Sequence, residues 1–302
     1  MVNLEGSRAS GEQASALLQG AIDAHVHAAP DIQSRKTDCL QLVEEARRKG
    51  MAGVLIKDHV TLTSDRAYIL NRIYPDFRVY GAITLNDTVG GVNPAAAEAA
   101  IRLGCRQVFM PTYAARNHVS RWGKGSGSSS YPFLPNSQGI SPVDASGKLF
   151  PEAQETLRLL AQADVLLGTG HLSPPEIMIL LRAAKEAGVQ RILITHASMK
   201  LIDMSVDDQL DAVRLGAYIE HSLVATTESF AARGKTSLDE IAFQIRSVGV
   251  EYCVMSTDFG QTVNPLPVEG LREFIRQMLS CGFHENEIAR MVRENPKKLL
   301  EK

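Results

Sequence analysis

Two histidines in Asp23-Ala24-His25-Val26-His27 stand two residues apart within a short apolar run, Ala21 to Val26. On a β-strand that spacing turns both imidazoles to one face, about 7 Å apart along the chain. One metal ion, bound about 2.0–2.1 Å from each ring nitrogen, is then within reach of both. Ala28-Ala29-Pro30 follows at once, so the strand ends there and leaves the pair at its C-terminal tip. Two space-filling histidines would give the same pattern, so the rest of the chain has to decide. Six of the eight histidines end segments that read as strands: His25, His27, His59, His171, His196 and His221. Asp258 ends an eighth segment in the same way. Packing would scatter histidines, whereas this concentration predicts a metal site built from among these residues. Of the other two, His118 sits in a long irregular stretch that can reach over such a site, and His284 reads as a surface residue.

Imidazole with carboxylate is a borderline donor set. It suits Zn²⁺ best, with Mn²⁺ or Fe²⁺ as alternatives, and disfavours Ca²⁺. One or two divalent ions are expected. A catalytic ion keeps a position open for water and lowers its pKa to about 7. Asp258 is then a candidate to bind the ion, take the proton of that water and pass it to a leaving group. Lys57 and His59, also two apart, share a face and are further catalytic candidates. Lys57 suits an oxyanion donor, an anion clamp or, if desolvated enough to lose its proton, a carbamate. Arg35 and Lys36 lie just past His27 and are candidates to hold a substrate carboxylate or phosphate. Glu220 and His221 are adjacent, so on a regular strand they face opposite ways. If the strand ends at Glu220, His221 turns toward the pocket and becomes a substrate-binding candidate.

Strand segments at 21–27, 53–57, 78–85, 107–110, 165–168, 191–195, 217–220 and 252–256 position these residues. They alternate with helical stretches, most stopped by a glycine such as Gly50, Gly104, Gly188, Gly216 or Gly249. Among the helical stretches are 39–49, 64–74 with Ser64 as a cap, 151–163, 271–281 and 285–301. Strand then helix, eight times, implies a parallel sheet with right-handed crossovers. At 302 residues it points to an α/β fold of the (β/α)8 TIM type, one domain over 1–302. An open doubly wound sheet is the alternative, but no Gly-rich phosphate fingerprint follows the first strand. The rhythm breaks at 112–150, which holds a Gly/Ser run at Gly123–Ser130 bordered by Arg121, Trp122 and Lys124. So long an insertion after strand four suits a lid over the site.

Composition narrows the partners. A net charge of −2 argues against nucleic acid or an anionic membrane, and leaves a small molecule as the expected partner. No apolar stretch approaches the roughly 18 residues of a membrane span. The four widely spaced cysteines form no CxxC and read as reduced thiols. No secretion signal is evident at the N-terminus, so a cytoplasmic protein is expected, and a homodimer is the expected assembly.

Taken together, these residues resemble the amidohydrolase superfamily. Asp23-Ala24-His25-Val26-His27 is similar to its opening motif and Ser256-Thr257-Asp258 to its strand-eight motif. Asn295-Pro296-Lys297-Lys298-Leu299-Leu300 is similar to its closing helix. The resemblance covers about residues 21–300. It implies a metal-dependent hydrolase of a small amide, lactone or related carbonyl compound, or less often a decarboxylase or lyase. It places His25, His27, His171, His196 and Asp258 around the ion or ions. Met110-Pro111-Thr112 offers neither the lysine nor the glutamate that bridges two metals in many relatives. Lys57-Asp58-His59 after an HxH also resembles the polymerase-and-histidinol-phosphatase (PHP) family. That second resemblance implies a phosphoesterase, for which Asp87 is the candidate further carboxylate.

Overall fold

Each apolar segment forms a parallel strand, and each following amphipathic segment forms a helix outside it. The computed structural model describes residues 4–123 and 138–301. The strands are β1 (Ile22–Val26), β2 (Gly53–Ile56), β3 (Arg78–Thr84), β4 (Gln107–Phe109), β5 (Leu166–Gly168), β6 (Ile192–Ile194), β7 (Tyr218–Ser222) and β8 (Cys253–Ser256). They pair in sequence order, every pair parallel. β8 returns to β1 just past its end. Val26 bridges Phe259, and the backbone N–H of Asp258 donates to His25 O at 2.9 Å. Gly260 follows at φ 145, where an added Cβ would sit 2.2 Å from His27 O, so the seam has room for glycine alone. The fold is therefore the expected (β/α)8 barrel.

The helices are α1 (Leu4–Leu18), α2 (Cys39–Arg48), α3 (Ser64–Ile73), α4 (Pro94–Arg102), α5 (Arg116–Trp122), α6 (Pro151–Ala163), α7 (Pro174–Ala187), α8 (Val206–Arg214), α9 (Leu238–Val248), α10 (Pro267–Ser280), α11 (Glu285–Ala289) and α12 (Asn295–Leu300). α2 and α7 begin with capping boxes, Asp38 with Gln41 and Ser173 with Glu176, which satisfy N–H groups that a helix start leaves open. Among the described residues, no helix is long and apolar enough to cross a membrane.

Two apolar layers hold the barrel. Ile22, Ala24, Leu55, Phe109, Leu193 and Val254 fill its inside. A larger layer, including Val26, Val54, Ile194 and Ile219, lies between strands and helices. β1 changes face midway. Ile22 and Ala24 belong to the inside, Val26 to the outside, and the register with β2 shifts between Asp23 and Val26. Such an irregularity re-aims the residues after it. Here it turns His25 and His27 toward the barrel mouth.

Several expected boundaries move. β7 runs on to Ser222 instead of ending at Glu220, because Glu220, His221 and Ser222 all pair with β8. The cap of α3 is Thr63 and not Ser64. α10 starts a turn before Leu271, at Pro267, which suits a first helical turn. The last expected helix is divided by a π-helical turn, Arg290–Glu294. In the 112–150 insertion, α5 and a pairing of Val143 with Leu149 are formed. Most of the Gly/Ser run, on which the lid expectation rests, lies outside the described residues.

Candidate metal centre

Asp258 is the hub of the mouth. Its carboxylate oxygens lie 3.4 Å from His25 Nε2, 3.0 Å from His27 Nε2 and 3.5 Å from His196 Nε2. All four side chains are buried. Asp258 and His196 also have left-handed backbones, φ 52 and 57, which side chains other than glycine's adopt at a cost of about 1–2 kcal/mol. Strain of this kind gathers at functional sites. One donor atom from each of His25, His196 and Asp258 lies within 4.8 Å of the others.

The tautomers follow from the far side of each ring. His25 Nδ1 is 2.8 Å from Glu220 Oε1, and His196 Nδ1 is 2.9 Å from Ser222 Oγ. Glu220 also accepts from Ser256 Oγ and from the His196 backbone N–H. Burial raises the Glu220 carboxyl, while the nearby His196 and the Ser256 hydroxyl favour its anion. With Nδ1–H donated outward, the Nε2 lone pairs of His25 and His196 face Asp258. His27 differs. Its Nδ1 is 3.3 Å from Arg35 Nη2, which can only donate, so in this arrangement its Nε2–H donates to Asp258. Desolvation keeps the imidazoles uncharged: His25 falls to about 3, His196 to about 4, and His27 well below its ordinary value.

Two neutral imidazole nitrogens with fixed lone pairs and one carboxylate, all dry, are a donor set for a divalent ion of the zinc type. His27 stands beside them through Asp258. His171 lies outside that close group of donor atoms, and its Nδ1 meets His118 Nδ1 at 2.9 Å. His59 stacks on His27 and holds Thr112 Oγ1 at 2.9 Å. Lys57 Nζ is 3.1 Å from His25 Nε2 and lies over the Phe109 ring. Burial brings its pKa down to about 8, against the pull of Asp258 and Glu220.

One cavity joins His27, Lys57, His59, His171, His196 and Asp258. Arg35 also lines it, but its guanidinium is bound to Asp31 at 2.6 Å. His221 does not line it. On a strand that continues to Ser222, Glu220 and Ser222 face inward and His221 outward, toward Ser198 Oγ at 3.2 Å. The condition for His221 to face the pocket is therefore not met. Asp58 faces Arg66, and Asp87 lies at the start of a short 3-10 turn outside the cavity lining. His284 is an exposed helix cap, as expected.

Sequence reasoning missed part of the lining. Glu220 was noted as His221's opposite, and the same parity would have selected it had β7 been extended to Ser222. Trp122, which ends the short helix α5, and Phe230 and Arg233, on a 3-10 turn after β7, line the cavity from segments too short to give a periodicity to read. Asp23, the first residue of the opening motif, acts away from the cavity. It accepts from the hydroxyl of Thr257 at 2.6 Å and from that residue's backbone N–H at 3.1 Å, tying β1 to β8 next to Asp258.

The parallel barrel that carries these residues is shared by solved structures across nearly their whole length. An amidohydrolase from Pseudomonas aeruginosa is similar at 12% identity, covering 96% of this chain and 98% of that one, with a TM-score of 0.65. The probable dipeptidase PvdM from Pseudomonas aeruginosa is similar at 11% identity, covering 97% and 98%, with a TM-score of 0.63. A 2,6-dihydroxybenzoate decarboxylase from Rhizobium is similar at 11% identity, covering 93% and 98%, with a TM-score of 0.52. At these identities what is shared is the fold, a (β/α)8 barrel. Residues 20–220 match a family of unknown function, DUF6282, and the chain belongs to it. No curated protein matches it in sequence.

Proposed function

We propose that this chain, read over 1–302 as one barrel domain, is a metal-dependent hydrolase acting on a small amide, lactone or related carbonyl compound. The observation that carries the reading is the convergence of His25, His196 and Asp258, with the Nδ1 atoms of both rings held from behind. His25, His196 and Asp258 would hold the ion. His27 would join on release of its Arg35 contact, and His171 through its Nε2 when its Nδ1–H donates to His118. A divalent ion there, Zn²⁺ before Mn²⁺ or Fe²⁺, would supply Lewis acidity and an acidified water.

The chain supplies the rest. Asp258 is the carboxylate placed to accept a proton from that water and to return it to the leaving group. Glu220 and Ser222 keep His25 and His196 in one tautomer and orientation. Arg35 holds His27 in the opposite tautomer, with its Nε2–H toward Asp258. Lys57, with a pKa of about 8, is mostly an ammonium at neutral pH, and is placed to stabilise charge developing on a carbonyl oxygen. His59, two residues on, lies beside the same space. The cytoplasmic setting and homodimer belong to the same reading.

Metal analysis of protein purified without chelator, paired with turnover of amide and lactone panels, is the test. Stoichiometric metal and hydrolysis, both lost in His25→Ala, are expected. Metal-dependent release of CO₂ in place of hydrolysis would redirect the reading to a decarboxylase. Turnover of phosphate esters alone would redirect it to the phosphoesterase reading, which no carboxylate from Asp87 supports in the cavity lining.

A further inference from the structure

Arg233 ends the 3-10 turn Glu228–Arg233 that follows β7, and it lines the cavity of the candidate metal centre. Its guanidinium carbon lies 5.3 Å from the centre of the Trp122 ring and 5.4 Å from that of Phe230. The two rings meet edge to face at 5.9 Å. Trp122 comes from the β4 loop and Phe230 from the β7 loop, so two separate loops clasp one cation. Each aromatic contact contributes about 0.5–2 kcal/mol and fixes the group without neutralising it.

Among the described residues, no carboxylate pairs with Arg233. Glu228, on its own turn, is bound to Lys235. Asp31 is bound to Arg35. Asp258 is surrounded by the three imidazoles. The guanidinium is half-buried, and burial pushes it below its ordinary value. Taking a charge out of water without a counter-ion is costly. A ligand carboxylate in the cavity would supply that counter-ion. A guanidinium presents paired N–H donors in one plane, which a planar carboxylate meets with two parallel hydrogen bonds. Arg35, the candidate for this task in the sequence, is already neutralised by Asp31.

We propose that Arg233 is the carboxylate anchor of the substrate, so that the site takes a small organic acid. Its carboxylate pairs with Arg233, its apolar part lies along Trp122 and Phe230, and its reacting carbonyl faces Lys57 and Asp258. What happens at the reacting end rests on the hydrolase reading, while the binding of the acid does not.

Trp122 is the only tryptophan, so its fluorescence reports on this spot alone. The full-length chain, metal-loaded and after chelation, is titrated with benzoate, its neutral analogue benzamide, and inorganic phosphate. Benzoate is expected to give a saturable change in both forms, and benzamide and phosphate none at the same concentrations. Arg233→Gln is expected to raise the benzoate dissociation constant about tenfold to a hundredfold, as for hydrogen bonds to a charged group. Arg233→Lys, which keeps the charge and loses the fork, is expected to fall between. Any of four results overturns the assignment: no saturable benzoate response, equal binding of benzamide, equal binding of phosphate, or benzoate binding unchanged in Arg233→Gln. Metal content is measured on the same samples. A chain that takes no metal yet binds benzoate through Arg233 keeps the anchor and loses the hydrolase reading.

Discussion

The two sides of the barrel mouth are built differently. On one side, from β1, β6, β7 and β8, imidazoles face carboxylates: His25 meets Glu220 and Asp258, and His27 and His196 meet Asp258. On the other, the imidazoles meet neutral partners. His59 meets Thr112, His171 meets His118, and the Tyr113 ring stacks on His59 at 3.9 Å. Rings of one residue type at equivalent strand ends thus divide into a half that faces carboxylates and a half that faces neutral partners. Carboxylates orient an imidazole and make it a better donor to a metal, whereas stacked rings offer an apolar wall. The first half suits the ion and the second the substrate.

That division can be broken most sharply by Asp258→Asn or His25→Ala. Either is expected to abolish metal retention, read by elemental analysis, and to cut turnover by about a thousandfold or more, the several kcal/mol such an ion supplies. A variant of His59 with the same metal loss would remove the distinction between the halves.

Stability should follow pH in a stated direction. The buried histidines stay uncharged in the folded chain, His196 down to about 4 and His25, His118 and His221 down to about 3. In the unfolded chain they take up protons near 6.5. The unfolded state then binds more protons between those values, so stability is lost as pH falls from about 6.5 toward 4. Asp23, raised to about 7 by burial, works the other way, since its folded form holds the proton as pH rises from 3.8 to about 7. Burial raises the Glu220 and Asp58 carboxyls in the same sense, and the seven buried histidines outnumber these three carboxyls. Denaturant melts at pH 7 and pH 5 should show the lower midpoint at pH 5, and the reverse order would contradict the burial of the ring cluster.

Glu220→Gln is expected to lower metal affinity about tenfold to a hundredfold without abolishing it, because His25 loses its orienting anion. A competition titration with a chromogenic chelator reads this directly. His118→Ala should have the smallest effect. It removes one neutral partner of His171, a loss of about 1 kcal/mol, so turnover should change by less than about tenfold with metal content intact. Metal loss in His118→Ala would move His171 into the first half.

The barrel was legible because its signals are local. Apolar runs of strand length, glycine helix stops such as Gly50 and Gly188, and the cap-plus-proline start at Ser173-Pro174 each act through their own neighbours in the chain. His25, His27, His196 and Asp258 were legible for the same reason, since a strand end fixes where its last residue stands. What the sequence determined by itself was therefore the order of elements and the identity of the residues at the mouth. The tertiary structure alone decided which of those residues face one another. The register shift in β1 aimed His25 inward, and pairing with β8 carried β7 to Ser222, which selected Glu220 over His221. The meeting of Trp122, Phe230 and Arg233 joins loops more than a hundred residues apart. Contacts of that kind depend on the closure of the barrel as a whole, and no window of the chain encodes them.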